Sequence, residues 1–60
     1  MKSKEVIKIL KDDGWKVVNQ RGSHIYLKHD IKKGKITVPY HNKDLKPKTL
    51  KSILSQAELL

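Results

Sequence analysis

The chain has 60 residues and no cysteine, and its 14 lysines and arginines outnumber 6 acidic residues for a net charge of +8. That length admits a single domain, residues 1–60, with a thin core and no disulfide or thiolate–metal staple to support it. No stretch approaches the ~20 apolar residues of a membrane span, and MKSKEVIKIL lacks the apolar run of a signal peptide, so a soluble, cytoplasmic, unexported protein is expected.

The first element in chain order is a helix over residues 3–13. Ser3 is its expected N-cap, Val6, Ile7, Ile9 and Leu10 its apolar stripe, and Gly14 the residue just past its end. From Trp15 the period changes to two, with Trp15, Val17 and Asn19 expected on one face and Lys16, Val18 and Gln20 on the other. Arg21-Gly22-Ser23 carries turn chemistry. A second strand follows from His24 to about His29, with Ile25 and Leu27 inward and His24, Tyr26 and Lys28 outward. Asp30 to Gly34 reads as a polar hairpin connection, in which Lys32 and Lys33 are solvated. The third strand, Lys35 to about Pro39, turns Ile36 and Val38 inward, and Pro39 marks its end.

Tyr40 to Lys46 is a loop. The last helix is predicted from Pro47, suited to the N1 position, to about Ala57. Leu45 and Leu50 take the places of a hydrophobic staple, and Leu50, Ile53, Leu54 and Ala57 share a face. The order predicts an α+β fold, α-β-β-β-α, with a three-stranded antiparallel sheet and both helices on one face. The other face stays open and carries His24, Tyr26, Lys28, Lys35 and Thr37. Trp15, beside the helix stop, belongs to the core.

A charge of +8 repels itself in so small a fold, which points to a polyanionic partner. Nucleic acid is the first candidate. An anionic membrane would call for an amphipathic helix with bulky anchors, and only Trp15 could serve. Charge alone leaves RNA, DNA and an acidic protein open.

His24, His29 and His41 are the side chains that titrate near neutrality without special help. A zinc site is disfavoured, because His24 and His29 fall on opposite faces of one strand and nearby carboxylates are few. Ser23 beside His24 is a poor nucleophile, since strand neighbours point apart. No glycine-rich phosphate loop is present, and nothing calls for a cofactor. RNA, in contrast, brings its own nucleophile in the 2′-hydroxyl. A base, an acid and cations then suffice, and one histidine among lysines meets that need without a metal. Arg21, Lys28 and Lys35 are the candidate cations, and Tyr26 could stack on a base. An exposed histidine that is merely solvated is the alternative for each of the three.

The run Gly14-Trp15, Gly22-Ser23-His24, Val38-Pro39-Tyr40-His41 and Leu45-Lys46-Pro47-Lys48-Thr49-Leu50, with Ile53-Leu54 after it, resembles the HicA toxin family over nearly the whole chain. The resemblance implies a double-stranded-RNA-binding-domain-like fold and an mRNA interferase, held in check by a HicB-type antitoxin. It also implies that the histidine of the Gly-Ser-His motif, His24, is catalytic. One position departs from the family pattern: glycine often follows the proline that opens the last helix, and here Lys48 stands there. A lysine at a helix N-terminus is unfavourable unless an anion is close, so RNA phosphate or an acidic antitoxin surface is expected beside it. Two further readings stay open. One is a non-catalytic RNA-binding module of double-stranded-RNA-binding-domain type, since that fold does not by itself imply catalysis. The other is an interaction subunit whose charge serves an acidic partner.

Overall fold

A computed structural model describes residues 1–40 and 43–60. Helix α1 (Ser3–Asp12) is followed by strands β1 (Trp15–Arg21), β2 (His24–His29) and β3 (Lys35–Pro39), then helix α2 (Pro47–Gln56). The strands pair antiparallel in the order β1-β2-β3, so β2 is central. The helices cover one face, and Val6, Ile7, Leu10, Trp15, Ile25, Leu27, Ile36, Val38, Leu45, Ile53 and Ala57 form one core between the layers. The predicted α-β-β-β-α order and its sheet are thus present. His41 lies outside the described residues.

The start of α1 departs from expectation. Lys2, not Ser3, is the N-cap, and its backbone N–H donates to the Glu5 carboxylate at 3.1 Å. At 100° per residue, Ser3 falls within the arc of Val6, Ile7 and Leu10 and is therefore buried with them. Its hydroxyl donates to the Pro39 carbonyl at 2.6 Å, tying the helix start to the end of β3. Ile9 sits at the margin of the stripe and is 37% exposed rather than core.

At the other end of α1, Gly14 has φ +105°, and a Cβ there would meet His29 Nε2 at 2.7 Å. His29 is a structural latch. Asp13 O, 2.7 Å from Nε2, can only accept, while the Ile31 and Lys32 N–H groups, each 3.0 Å from Nδ1, can only donate. Those partners fix the neutral tautomer with its proton on Nε2. The ring also stands edge-on to buried Trp15, with centroids 5.3 Å apart.

Lys32, expected in solvent, is instead half-buried and bridges the two helix ends. Its ammonium donates to the Asp13 carboxylate at 2.6 Å and to the Ala57 carbonyl at 2.9 Å, closing a free carbonyl at the end of α2. The nearby ammonium holds the Asp13 carboxyl below its ordinary value of 3.8, against a smaller opposing effect of desolvation.

Helix α2 forms as its signals predict. Pro47 occupies the first turn after the Lys46 cap, Leu45 is buried, and Leu50 packs against the core.

Candidate nucleic-acid interface

The face of the sheet away from the helices is set by register. In β2, Ile25 and Leu27 are buried, which sends His24, Tyr26 and Lys28 outward. Antiparallel partners stand on the same face, so the pairs across β2–β3 place Thr37 beside Tyr26 and Lys35 beside Lys28.

Strand β1 does not follow simple alternation. Val17 pairs with Leu27, and the next pair is Asn19 with Tyr26, so Val18 is an extra residue at a β-bulge. Regular alternation from Trp15 would turn Asn19 and Arg21 toward the helices. The two-residue Gly22-Ser23 turn instead pairs both with open-face residues of β2, the bulge at Val18 reconciles that register with an inward Trp15, and Gln20 joins Ile25 on the other side. Arg21 thereby becomes the register partner of His24.

The open face is therefore built in rows. The first holds Arg21 and His24, the second Asn19, Tyr26 and Thr37, the third Lys16, Lys28 and Lys35. Rows two residues apart along a strand are separated by about 6.7 Å, so the lysine row lies about 13 Å from the His24 row. Lys28 and Lys35, candidate cations alongside Arg21, pair with each other at the far end. The cation placed beside His24 is Arg21.

Tyr26 occupies the middle, with the Lys35 ammonium 5.1 Å from its ring centroid. A base stacking on that side of the ring would have to displace Lys35. Val18, Asn19, Arg21, Tyr26, Lys28 and Lys35 line an open groove of about 340 Å³. Lys16 and Asn19 are not among the candidates that the sequence suggests. An adjacent Val17-Val18 gives little warning of a bulge.

His24 is exposed at the start of β2, where the turn is held by a 2.6 Å bond from the Tyr40 N–H to the Ser23 carbonyl. Ser23 thus shapes the turn. Lys48 is exposed in the first turn of α2 and belongs to the helix layer, not to the open face. It shares an end of the molecule with His24, because Ser3 joins Pro39, and the Leu45 N–H joins the Met1 carbonyl at 2.8 Å. Among the described residues no three of His, Cys, Asp and Glu gather as metal ligands.

The model of the HicA toxin of bacterial toxin–antitoxin systems matches residues 3–59. The chain belongs to the HicA toxin family. A chain of a solved structure named "Toxin-Antitoxin complex from Streptococcus pneumoniae" is similar over its whole fold, with a TM-score of 0.84 and 32% identity over 98% of each chain. No curated protein matches. No helix among the described residues is long and apolar enough to cross a membrane. In this HicA toxin, the Gly22-Ser23-His24 turn thus opens onto a sheet face whose rows carry the cations Arg21, Lys28 and Lys35, together with Lys16, whose ammonium is paired with the Asp30 carboxylate at 3.3 Å.

Proposed function

We propose that this HicA toxin is an endoribonuclease that cleaves mRNA in the cytoplasm through His24 and is neutralised by a HicB-type antitoxin. The observation that carries the reading is the pairing of His24 with Arg21 at the exposed end of a basic sheet face. Family membership and the likeness to a chain from a toxin–antitoxin complex support the antitoxin partner.

The chemistry follows from the substrate. The 2′-hydroxyl oxygen attacks the adjacent phosphorus, its proton passes to a base, and the bond from phosphorus to the 5′-oxygen breaks as that oxygen gains a proton. The products are a 2′,3′-cyclic phosphate and a free 5′-hydroxyl. A histidine near neutrality serves as base or as acid in such a transfer. Arg21 faces the phosphate as its charge builds and presents a planar fork of donors to it. Lys28 and Lys35, about 13 Å along the face, hold a neighbouring phosphate rather than the reacting one. Tyr26 lies between them for contact with a base, and Lys48 meets RNA phosphate or the antitoxin at the helix end. Nucleophile, proton carrier and counter-charge are all supplied without a metal.

The deciding experiment is cleavage of mRNA by purified wild-type and His24→Ala protein, with and without EDTA. Cleavage by wild type alone, insensitive to EDTA and ending in cyclic phosphate, is expected. Full activity in folded His24→Ala protein would overturn the reading. Binding without cleavage by wild type would make the face a docking module.

A further inference from the structure

We infer that Asn19 selects the base next to the cleaved bond. The inference rests on the proposed RNA cleavage and adds the residue that reads sequence. The groove on the open face has cations at both ends, Arg21 at one and Lys28 with Lys35 at the other. Its middle row is built from the uncharged Val18, Asn19 and Tyr26, with the Lys35 ammonium reaching over the Tyr26 ring. A volume of about 340 Å³ falls at the lower end of the usual range for ligand pockets and suits one nucleoside rather than several. A backbone gripped at Arg21 and at the lysines carries the intervening base across this middle row, on the Asn19 side of Tyr26.

The lining side chains differ in what they can discriminate. Cations contact phosphate, which is the same at every position. An aromatic ring stacks on any base, since every base has a π-face. Asn19 alone among them offers a donor and an acceptor side by side, the arrangement that matches the hydrogen-bonding edge of a base.

Its placement is specific. The turn register pairs it with Tyr26 in the middle row of the open face, immediately beside the bulge at Val18, and bulges commonly occur beside active sites. The Gln20 N–H donates to Asn19 Oδ1 at 2.8 Å, which orients the carboxamide. That bond leaves one lone pair of Oδ1 in use and the other available. The amide nitrogen donates to no described residue. An oriented but unspent carboxamide in the centre of the groove is what base reading requires.

The test is a panel of short single-stranded RNAs that differ only in the bases flanking one scissile bond. Cleavage is measured for wild type, Asn19→Ala and Asn19→Asp, with folding checked by thermal melting. Asn19→Asp keeps the acceptor for the Gln20 N–H, so it preserves the local structure while replacing the donor. Wild type should prefer one base at one flanking position by roughly tenfold to a hundredfold. Asn19→Ala should lower kcat/KM for that base to the level of the others and leave the others unchanged. Asn19→Asp should alter the ranking. An unchanged ranking in both variants, a uniform loss over all bases, or no preference in wild type would each overturn the inference. If wild type cleaves none of the RNAs, the proposed activity fails separately. The same panel is then read by fluorescence anisotropy: base-dependent affinity that disappears in Asn19→Ala upholds base reading, and equal affinity overturns it.

Discussion

Arg21 stands directly opposite His24 because the two residues flank the two-residue Gly22-Ser23 turn, and the extra residue Val18 reconciles that register with an inward-facing Trp15. Arg21 is thus the open-face cation in the same row as the histidine, where it can meet a phosphate bound there. Removing a preorganised charge partner of this kind costs about 10²-fold to 10³-fold in kcat. Arg21→Ala should show a loss of that order in RNA cleavage, with a smaller change in RNA affinity. Arg21→Lys should recover only part of it, since lysine lacks the planar fork. Single-turnover rates at saturating protein check both.

The lysine row should behave differently. Lys28→Ala and Lys35→Ala each withdraw a cation from a neighbouring phosphate, so they weaken binding and leave the chemical step nearly intact. Every phosphate left without its counter-charge should flatten the slope of log affinity against log salt by about 0.7 for single-stranded RNA. Titrations at several salt concentrations measure this. An unchanged slope would place the RNA elsewhere.

Gly14 is a stability site. Gly14→Ala forces a side chain into φ +105° and brings its Cβ within 2.7 Å of the His29 ring. The backbone strain alone costs about 1–2 kcal/mol. A drop in Tm of about 4–16 °C follows for a domain of this size. Combining it with His29→Ala should give less destabilisation than the sum, because the clash then has no partner.

His29→Leu separates the two described histidines. It leaves the Ile31 and Lys32 N–H groups and the Asp13 carbonyl without their partner. Orphaning such groups costs about 1–3 kcal/mol in total where water reaches part of the site. Stability should fall while the single-turnover rate of cleavage, measured below the transition, stays near wild type. A loss of the same size as in His24→Ala would show that His29 takes part in the chemistry.

The Asp13–Lys32 bridge gives a pH dependence of definite sign. The Asp13 carboxyl is held below its ordinary value of 3.8 chiefly by its hydrogen bond with Lys32. The folded state therefore binds this proton more weakly than the unfolded chain. The contribution is present above about 3.8 and is lost as pH falls through the lower folded value. Lys32→Met should lower Tm at neutral pH, and its deficit against wild type should shrink below that point. Melting curves from pH 7 down to about 2.5 test the trend.

Much of this architecture is legible in the residues because burial is written in their spacing. Ile25 and Leu27, Ile36 and Val38, and the Leu45–Leu50 pair around Pro47 mark β2, β3 and α2 with little ambiguity. The open face of β2 follows from the same alternation, and so His24, Tyr26 and Lys28 can be placed without coordinates. The bulge is different. One added residue reverses every later side chain in the strand, and Val-Val has no local chemistry that announces it. Counting from Trp15 therefore puts Asn19 and Arg21 on the wrong face, whereas counting back from the Gly22-Ser23 turn pairs them with Tyr26 and His24. Lys32 and Ser3 are misread for a related reason: their roles come from bonds to Ala57 and Pro39, far along the chain.

The bulge has a further effect on how the protein behaves in company. β1 is an edge strand, and an edge presents unpaired backbone groups that another chain can extend. Val17 and Val18, both exposed, would make a flat edge here an adhesive one. A bulge interrupts the ladder and adds local twist, so a second copy laid alongside would lose register within a few residues. Arg21, on one side of it, adds a like charge against the same approach. The kink that lets Trp15 face the core while Asn19 and Arg21 face outward therefore also disfavours strand-to-strand aggregation when the protein accumulates without a partner.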